Sequence, residues 1–238
     1  MRLKGIIFLF LILAWTVNSS FLRIPQFEKA DLLGDIDPGR HRDFDKVRSK
    51  YCNKESYLRE EVYDAFKDMW DAAQADGISL TIISATRNRS YQKGIWNRKW
   101  LSFGGDESDR AERILQYSSM PGTSRHHWGT DLDINALENS YFESGEGARV
   151  YAWLQAHAAE FGFYQPYTRF NPYRDAGYRE EKWHWSYFPT ASRIQRAYRL
   201  EIDYSQLRGF MGDSYAEKLD VINNYVMGVA AWPDKAPF

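Results

Sequence analysis

Two short stretches of this chain alternate so strictly that they leave little choice of backbone. In "TDLDIN" (130–135), Leu132 and Ile134 fall on one face, and Asp131, Asp133 and Asn135 on the other. In "KWHWSYF" (182–188), Trp183, Trp185 and Tyr187 alternate with His184, Ser186 and Phe188. A period of two is that of a β-strand, so each stretch offers one face to a core and aims the other elsewhere. Pro189 ends the second. "ISLTIIS" (78–84) is short, β-branched and apolar, and reads as a buried strand. Leu58, Val62, Phe66, Met69, Trp70 and Ala73 have helical spacing over 57–76, with Gly77 as a stop. Further helices are expected over Ser90–Phe103, Asp109–Tyr117 and Val150–Phe161, the last closed by Gly162. Helices and strands are interspersed without a βαβ rhythm, which predicts an α+β fold.

The chain has 238 residues, enough for one substantial core with an appended subdomain. Residues 1–20 read as a signal peptide. Arg2 and Lys4 precede the apolar run Ile6–Val17, which is shorter than the roughly 20 residues a membrane span needs. An export signal implies a protein of the periplasm or cell envelope with no stable membrane insertion after cleavage; an uncleaved anchor is the alternative. Residues 21–55 read as an N-terminal arm, 56–190 as the main domain and 191–238 as a C-terminal helical extension. The lone Cys52 cannot form an internal disulfide, so the core must hold an exported fold together. With no histidine near it in sequence, Cys52 reads as an inert thiol. The net charge of −1 argues against nucleic acid as a partner. The basic stretch Arg87, Arg89, Lys93, Arg98 and Lys99 reads as a solvated helix face.

Chemistry concentrates in "SSMPGTSRHHWGTDLDINAL" (118–137) and the strand at 182–188. Of five histidines, His41 reads as solvated and His157 as structural. His126, Asp133 and His184 together offer two imidazoles and a carboxylate, a three-ligand set that leaves a position open for water in catalytic zinc sites. Gly129 lets the backbone bend so that His126 and Asp133 converge. A strand aspartate with two satisfied histidines is the competing reading. A zinc hydrolase also needs a base that is not a ligand. Glu181 stands three residues before His184, so it reaches the same water only from a turn or bulge; Glu180 competes. A cation for the oxyanion or a substrate carboxylate is supplied by Arg87 or Arg89, just after the strand at 78–84.

At this point "SRHHWGTDLD" matches Ser-x-His-x-x-Gly-x-x-x-Asp, "EKWHW" matches Glu-x-Trp-His, and Arg87 is followed five later by Gln92. Together these resemble the VanY-type zinc D-alanyl-D-alanine carboxypeptidases of the hedgehog/DD-peptidase superfamily, over about Ile78 to Tyr187. The resemblance implies a small central antiparallel sheet carrying one zinc ion, flanked by helices. It implies His126, Asp133 and His184 as metal ligands, Glu181 as catalytic base and Arg87 on the scissile carbonyl or substrate carboxylate. Ser124 and Gln92 would position substrate, Trp183 and Trp185 would shape the site, and His127 is not a ligand position. Asp131 departs from the family, which usually has a small apolar residue there. It is expected either to hold a ligand histidine or to recognise a substrate amine. Asn88 and Arg89 also intervene where the family has Ser or Thr after the arginine.

The resulting expectation is a monomeric exported peptidase acting on peptidoglycan stem peptides, first as a D,D-carboxypeptidase. An L,D-carboxypeptidase and an endopeptidase follow. A zinc-containing cell-wall-binding module is the non-enzyme alternative, against which the intact Glu181 speaks. A non-haem iron oxygenase shares the two-His-one-carboxylate set but not this spacing or export.

Overall fold

The computed structural model describes residues 27–232. The expected signal peptide lies outside the described residues. Among those described, no helix is long and apolar enough to cross a membrane.

In chain order, α1 (Lys29–Leu33) leads to the strand pair β1 (Phe44–Lys46) and β2 (Tyr57–Arg59), then α2 (Glu60–Ala75), β3 (Ile82–Ser84), α3 (Arg89–Ser102) and α4 (Glu107–Leu115). A 3-10 turn at Arg125–Trp128 precedes β4 (Asp131–Ile134). Then come α5 (Gly145–His157), β5 (Phe163–Tyr164), β6 (His184–Tyr187) and α6 (Phe188–Glu201). The sheet runs β3-β4-β6-β5 and every neighbouring pair is antiparallel.

The α+β reading holds, and the differences from it are local. The helix expected over 57–76 starts at Glu60, because Tyr57–Arg59 pair with β1. Regular strand in 78–84 is confined to Ile82–Ser84. Upstream of it the chain is clipped by the Asn135 side chain, which accepts from Thr81 N at 2.7 Å and donates to Ser79 O at 2.8 Å. Lys182 and Trp183 form a turn and not strand. Pro189, expected only to end β6, sits in the first turn of α6, where its missing N–H costs nothing. The helix at 150–161 starts earlier, at Gly145, and passes into a 3-10 turn at Ala158–Phe161.

Two apolar cores flank the sheet's site. One gathers Leu132, Ile134 and Trp185 from the sheet with Val62, Phe66 and Met69 of α2 and Leu154 of α5. The other gathers Trp96 and Trp100 of α3, Ile114 of α4, Tyr198 of α6 and Leu207, Val221 and Val226 from 202–226. The N-terminal segment is built into the fold: Leu32 is buried in the second core, and its carbonyl accepts from Trp128 Nε1 at 3.1 Å. Arg59, 3% exposed, bonds Trp128 O and pairs with Asp31 and Asp43.

Gly129 turns the chain from the 3-10 helix into β4 with φ at 72°. A Cβ there would lie 2.3 Å from Phe44 Cε1. Gly129→Ala therefore combines left-handed strain with a collision against a buried ring, and should cost about 2–4 kcal/mol. Denaturant unfolding reads this directly; an unchanged midpoint would show that the turn relaxes freely.

Candidate metal centre and substrate cleft

A cleft of about 490 Å³ opens over the polar face of β4 and β6. Asp133 and His184 form its floor, and Gln92, Ile95 and Lys99 of α3 form one wall. The opposite side comes from Glu181, Trp183 and Tyr167.

The β4–β6 register places Asp133 directly opposite His184. Such cross-strand partners on one face are near neighbours. His126 arrives from the 3-10 turn, its ring centroid 4.7 Å from that of His184. One candidate ligand atom from each of the three lies within 4.8 Å of the other two. His126 Nδ1 faces Ala85 O at 2.8 Å, and a carbonyl only accepts, so Nδ1 carries the proton and Nε2 is free to ligate. His184 is held the other way. Its Nε2 donates to Asp131 Oδ2 at 2.8 Å, leaving Nδ1 turned toward Asp133 Oδ1 at 3.2 Å. His126 Nε2 and Asp133 Oδ1 are buried with no hydrogen-bond partner. Two bare, convergent, buried donors with both imidazoles oriented from behind fit a divalent metal such as zinc.

Glu181 sits in a turn closed by His184 N on Glu181 O at 3.2 Å, as a base three residues before a ligand requires. Its Oε2 is 3.3 Å from His184 Nδ1. Burial pushes the Glu181 carboxyl up from its ordinary value, whereas His126 and His184, acting against burial, hold Asp133 well below the carboxylate range. Two carboxylates a few ångströms apart are thus driven in opposite directions, the pattern of a base beside a ligand. Glu180 points away and pairs with Arg169 at 3.1 Å.

Arg87 reaches the same floor, donating to Ser84 Oγ at 3.1 Å and lying 3.7 Å from Asp133 Oδ2. Its backbone is clamped: its N–H donates to His126 O at 3.1 Å, and its carbonyl accepts from His127 Nδ1 at 2.6 Å. Arg89 is spent elsewhere, on Asp35 and the carbonyl of Gln206. Ser124 and Gln92 both line the cleft, and Ser124 Oγ and Gln92 Oε1 are buried without partners. Trp183 lines the cleft beside Tyr117 while also packing in the first core; Trp185 lies in that core and does not line the cleft. His127 is a strut, accepting from Gly122 N at 3.1 Å. His41 and His157 pair with Asp31 and Glu160 and do not line the cleft.

Asp131 corrects the sequence reading in one of its two branches. It is fully buried, behind the floor, and cannot meet a substrate amine. It accepts from His184 Nε2, from Arg125 Nε at 2.9 Å, from Thr130 Oγ1 at 2.7 Å and from Ser186 Oγ at 2.8 Å. Arg125, missed in the sequence, is equally buried and also donates to Ser186 Oγ at 2.7 Å. The basic stretch is corrected too: Arg87 and Lys99 face the cleft, while Lys93 and Arg98 are exposed. Asn139, also missed, clips the Glu181 turn by donating to Glu180 O and accepting from Lys182 N. Nothing in its local sequence marks it.

Asp131→Asn keeps the shape but removes the charge that orients His184 and balances Arg125. Metal affinity should fall about 10–100-fold. Stability should fall by about 3 kcal/mol or more, as when one partner of a buried pair is lost. Competitive chelator titration and unfolding measure the two; an unchanged affinity would show that His184 is oriented by other contacts.

The VanY family model, described as D-alanyl-D-alanine carboxypeptidase, matches residues 55–190. YodJ of Bacillus subtilis (strain 168), named as a carboxypeptidase, is 30% identical over 174 residues, 72% of this chain and 58% of that protein. A D-alanyl-D-alanine carboxypeptidase of Enterococcus faecalis (strain ATCC 700802 / V583) is 30% identical over 124 residues, 51% of this chain and 44% of that one. The chain thus spans about half the length of these relatives. The structure of VanYB with D-alanine-D-alanine superposes with a TM-score of 0.52 at 22% identity, covering 76% of this chain and 92% of that one. The LdcB LD-carboxypeptidase gives 0.53 at 22% identity, covering 78% and 80%. At that identity the two structures show a shared fold. With its family match over more than half its length, the chain belongs to the VanY D-alanyl-D-alanine carboxypeptidase family.

Proposed function

We propose that this protein is an exported, zinc-dependent carboxypeptidase that removes the terminal D-alanine from peptidoglycan stem peptides. The observation that carries the reading is Glu181: a buried carboxylate, raised by its burial, beside three convergent ligands that do not include it. Family membership and the E. faecalis relative's name support the bond cut.

His126, Asp133 and His184 would hold the zinc, which when bound supplies a Lewis acid and a nucleophilic water at neutral pH. The chain's own groups do the rest. Glu181 Oε2 takes a proton from the attacking water and delivers it to the leaving amine. Arg87, fixed by Ser84 and by its clamped backbone, stabilises the charge that develops on the scissile carbonyl oxygen. Ser124 and Gln92, with unpaired polar atoms facing the cleft, orient the peptide. The buried floor excludes bulk water, which strengthens each of these interactions.

Purified protein given a stem pentapeptide ending in D-Ala-D-Ala should release D-alanine, and chelator should stop it. Glu181→Ala should lower kcat by about 10²–10⁴-fold while retaining zinc. Absence of both D-alanine and any shortened peptide would exclude the carboxypeptidase reading. Cleavage of the tetrapeptide with the pentapeptide left intact would make it an L,D enzyme.

A further inference from the structure

Among the described residues, Arg87 and Lys99 are the two Arg or Lys side chains that line the cleft. Arg87 lies against the metal-ligand cluster, 3.7 Å from Asp133, and its place there is the oxyanion's. Lys99 has no such assignment. It lies on the α3 face that carries Gln92 and Ile95, seven residues and about 10 Å of helix rise beyond Gln92. A helical side chain leans back toward the N-terminus, so its ammonium is directed along the cleft wall toward the Gln92 end.

The surroundings of that ammonium are unusual for a lysine. Its side chain is partly buried, and its one hydrogen bond among the described residues is to the neutral Ser118 Oγ, at 2.9 Å. Among the described residues it forms no ion pair, with no carboxylate within 4.0 Å. Burial draws its pKa down, opposed by the field of Glu181 and reinforced by that of Arg87. Two other lysines show the contrast: Lys46 pairs with Glu55 and Lys67 with Asp64. A cation that is partly desolvated, unpaired and near a second cation is a cost to the free protein. An anion arriving in the cleft removes that cost.

We propose that Lys99 is the carboxylate receptor of the cleft, pairing with the free C-terminal carboxylate of the peptide and so selecting an exopeptidase substrate. The proposal rests on the peptidase reading for its substrate class. An ammonium has three N–H donors and Ser118 takes one, so two remain for a carboxylate. An internal peptide bond offers a neutral amide at that place and leaves the lysine unpaired. Discrimination against endopeptidase substrates then comes from charge, with no need for a closed end to the groove. The same ammonium would equally suit a carboxylate carried on a substrate side chain, and the test separates the two sources.

Binding is measured by calorimetry on the zinc-loaded full chain carrying Glu181→Ala, which prevents turnover, with and without Lys99→Gln. The ligands are a stem peptide ending in D-Ala-D-Ala, its C-terminal amide, and each with or without a side-chain carboxylate at the third residue from the end. The free acid should bind at least tenfold more tightly than the amide, as for a charged hydrogen bond. Lys99→Gln should abolish that preference without changing amide affinity, and Lys99→Arg should restore most of it. An acid-to-amide ratio unchanged by Lys99→Gln would overturn the proposal. So would a loss that follows the side-chain carboxylate instead. Equal binding of acid and amide before any change at Lys99 would also overturn it. Selective binding through Lys99 in a protein that releases neither D-alanine nor any shortened peptide when Glu181 is present would overturn the carboxypeptidase reading and leave Lys99 standing as a carboxylate receptor alone.

Discussion

The site depends on one buried carboxylate. Asp131 lies behind the cleft floor and accepts hydrogen bonds from His184, Arg125, Thr130 and Ser186. A fully buried guanidinium is unaffordable without an anion, and a fully buried carboxylate is equally so without donors; each makes the other tolerable. Their combination fixes the imidazole of His184 by its Nε2, which settles which nitrogen faces the cleft. Arg125 also lies over the Trp128 ring, so the polar cluster is joined to the second core. The floor is therefore braced by contacts that involve no bound metal.

The same economy recurs around the other groups. His126 is oriented by the carbonyl of Ala85, and His127, next in sequence, by the carbonyl of Arg87. Adjacent imidazoles thus do different work: one leaves a nitrogen bare for a ligand, while the other is spent on both nitrogens and holds the Arg87 backbone. Burial draws the His127 imidazole down to about 3, so it acts as a neutral donor and acceptor. The C-terminal segment contributes at one remove. Among the described residues none beyond His184 lines the cleft, but Tyr225 packs on Tyr178, and Ala230 N bonds Pro166 O, bracing the wall that carries Tyr167 and Tyr178.

The charge layout of the cleft separates tasks by position. Asp133 and Glu181 are both carboxylates beside His184, yet burial and neighbouring charge drive one down and the other up. Arg87 and Lys99 are both cations, yet one is fixed against Asp133 and the other has only a neutral hydroxyl. Residue type alone would not distinguish the members of either pair.

Sequence by itself determined the chemistry available and much of its local geometry. Alternation at 130–135 and 182–188 put Asp133 and His184 on strand faces, and the three-residue offset of Glu181 called for a turn or a bulge, of which the turn is found. The α+β class followed from the same patterns. Tertiary structure alone decided the rest, because it depends on contacts distant in the chain. The β4–β6 register sets Asp133 against His184 and Asp131 against Ser186, and one step of slip would turn every one of these side chains to the other face. Asp131 was legible as a polar strand residue, but its role came from Arg125 and His184, which reach it only through folding. Trp185 and Trp183 look equivalent in the sequence; both pack in the first core, but Trp183, in a turn at 182–183 in place of strand, also lines the cleft. Lys99 shares a helical face with Gln92, a spacing visible from the start. What the spacing could not show is that this face looks into the cleft and not toward solvent, which the packing of α3 against the second core decides.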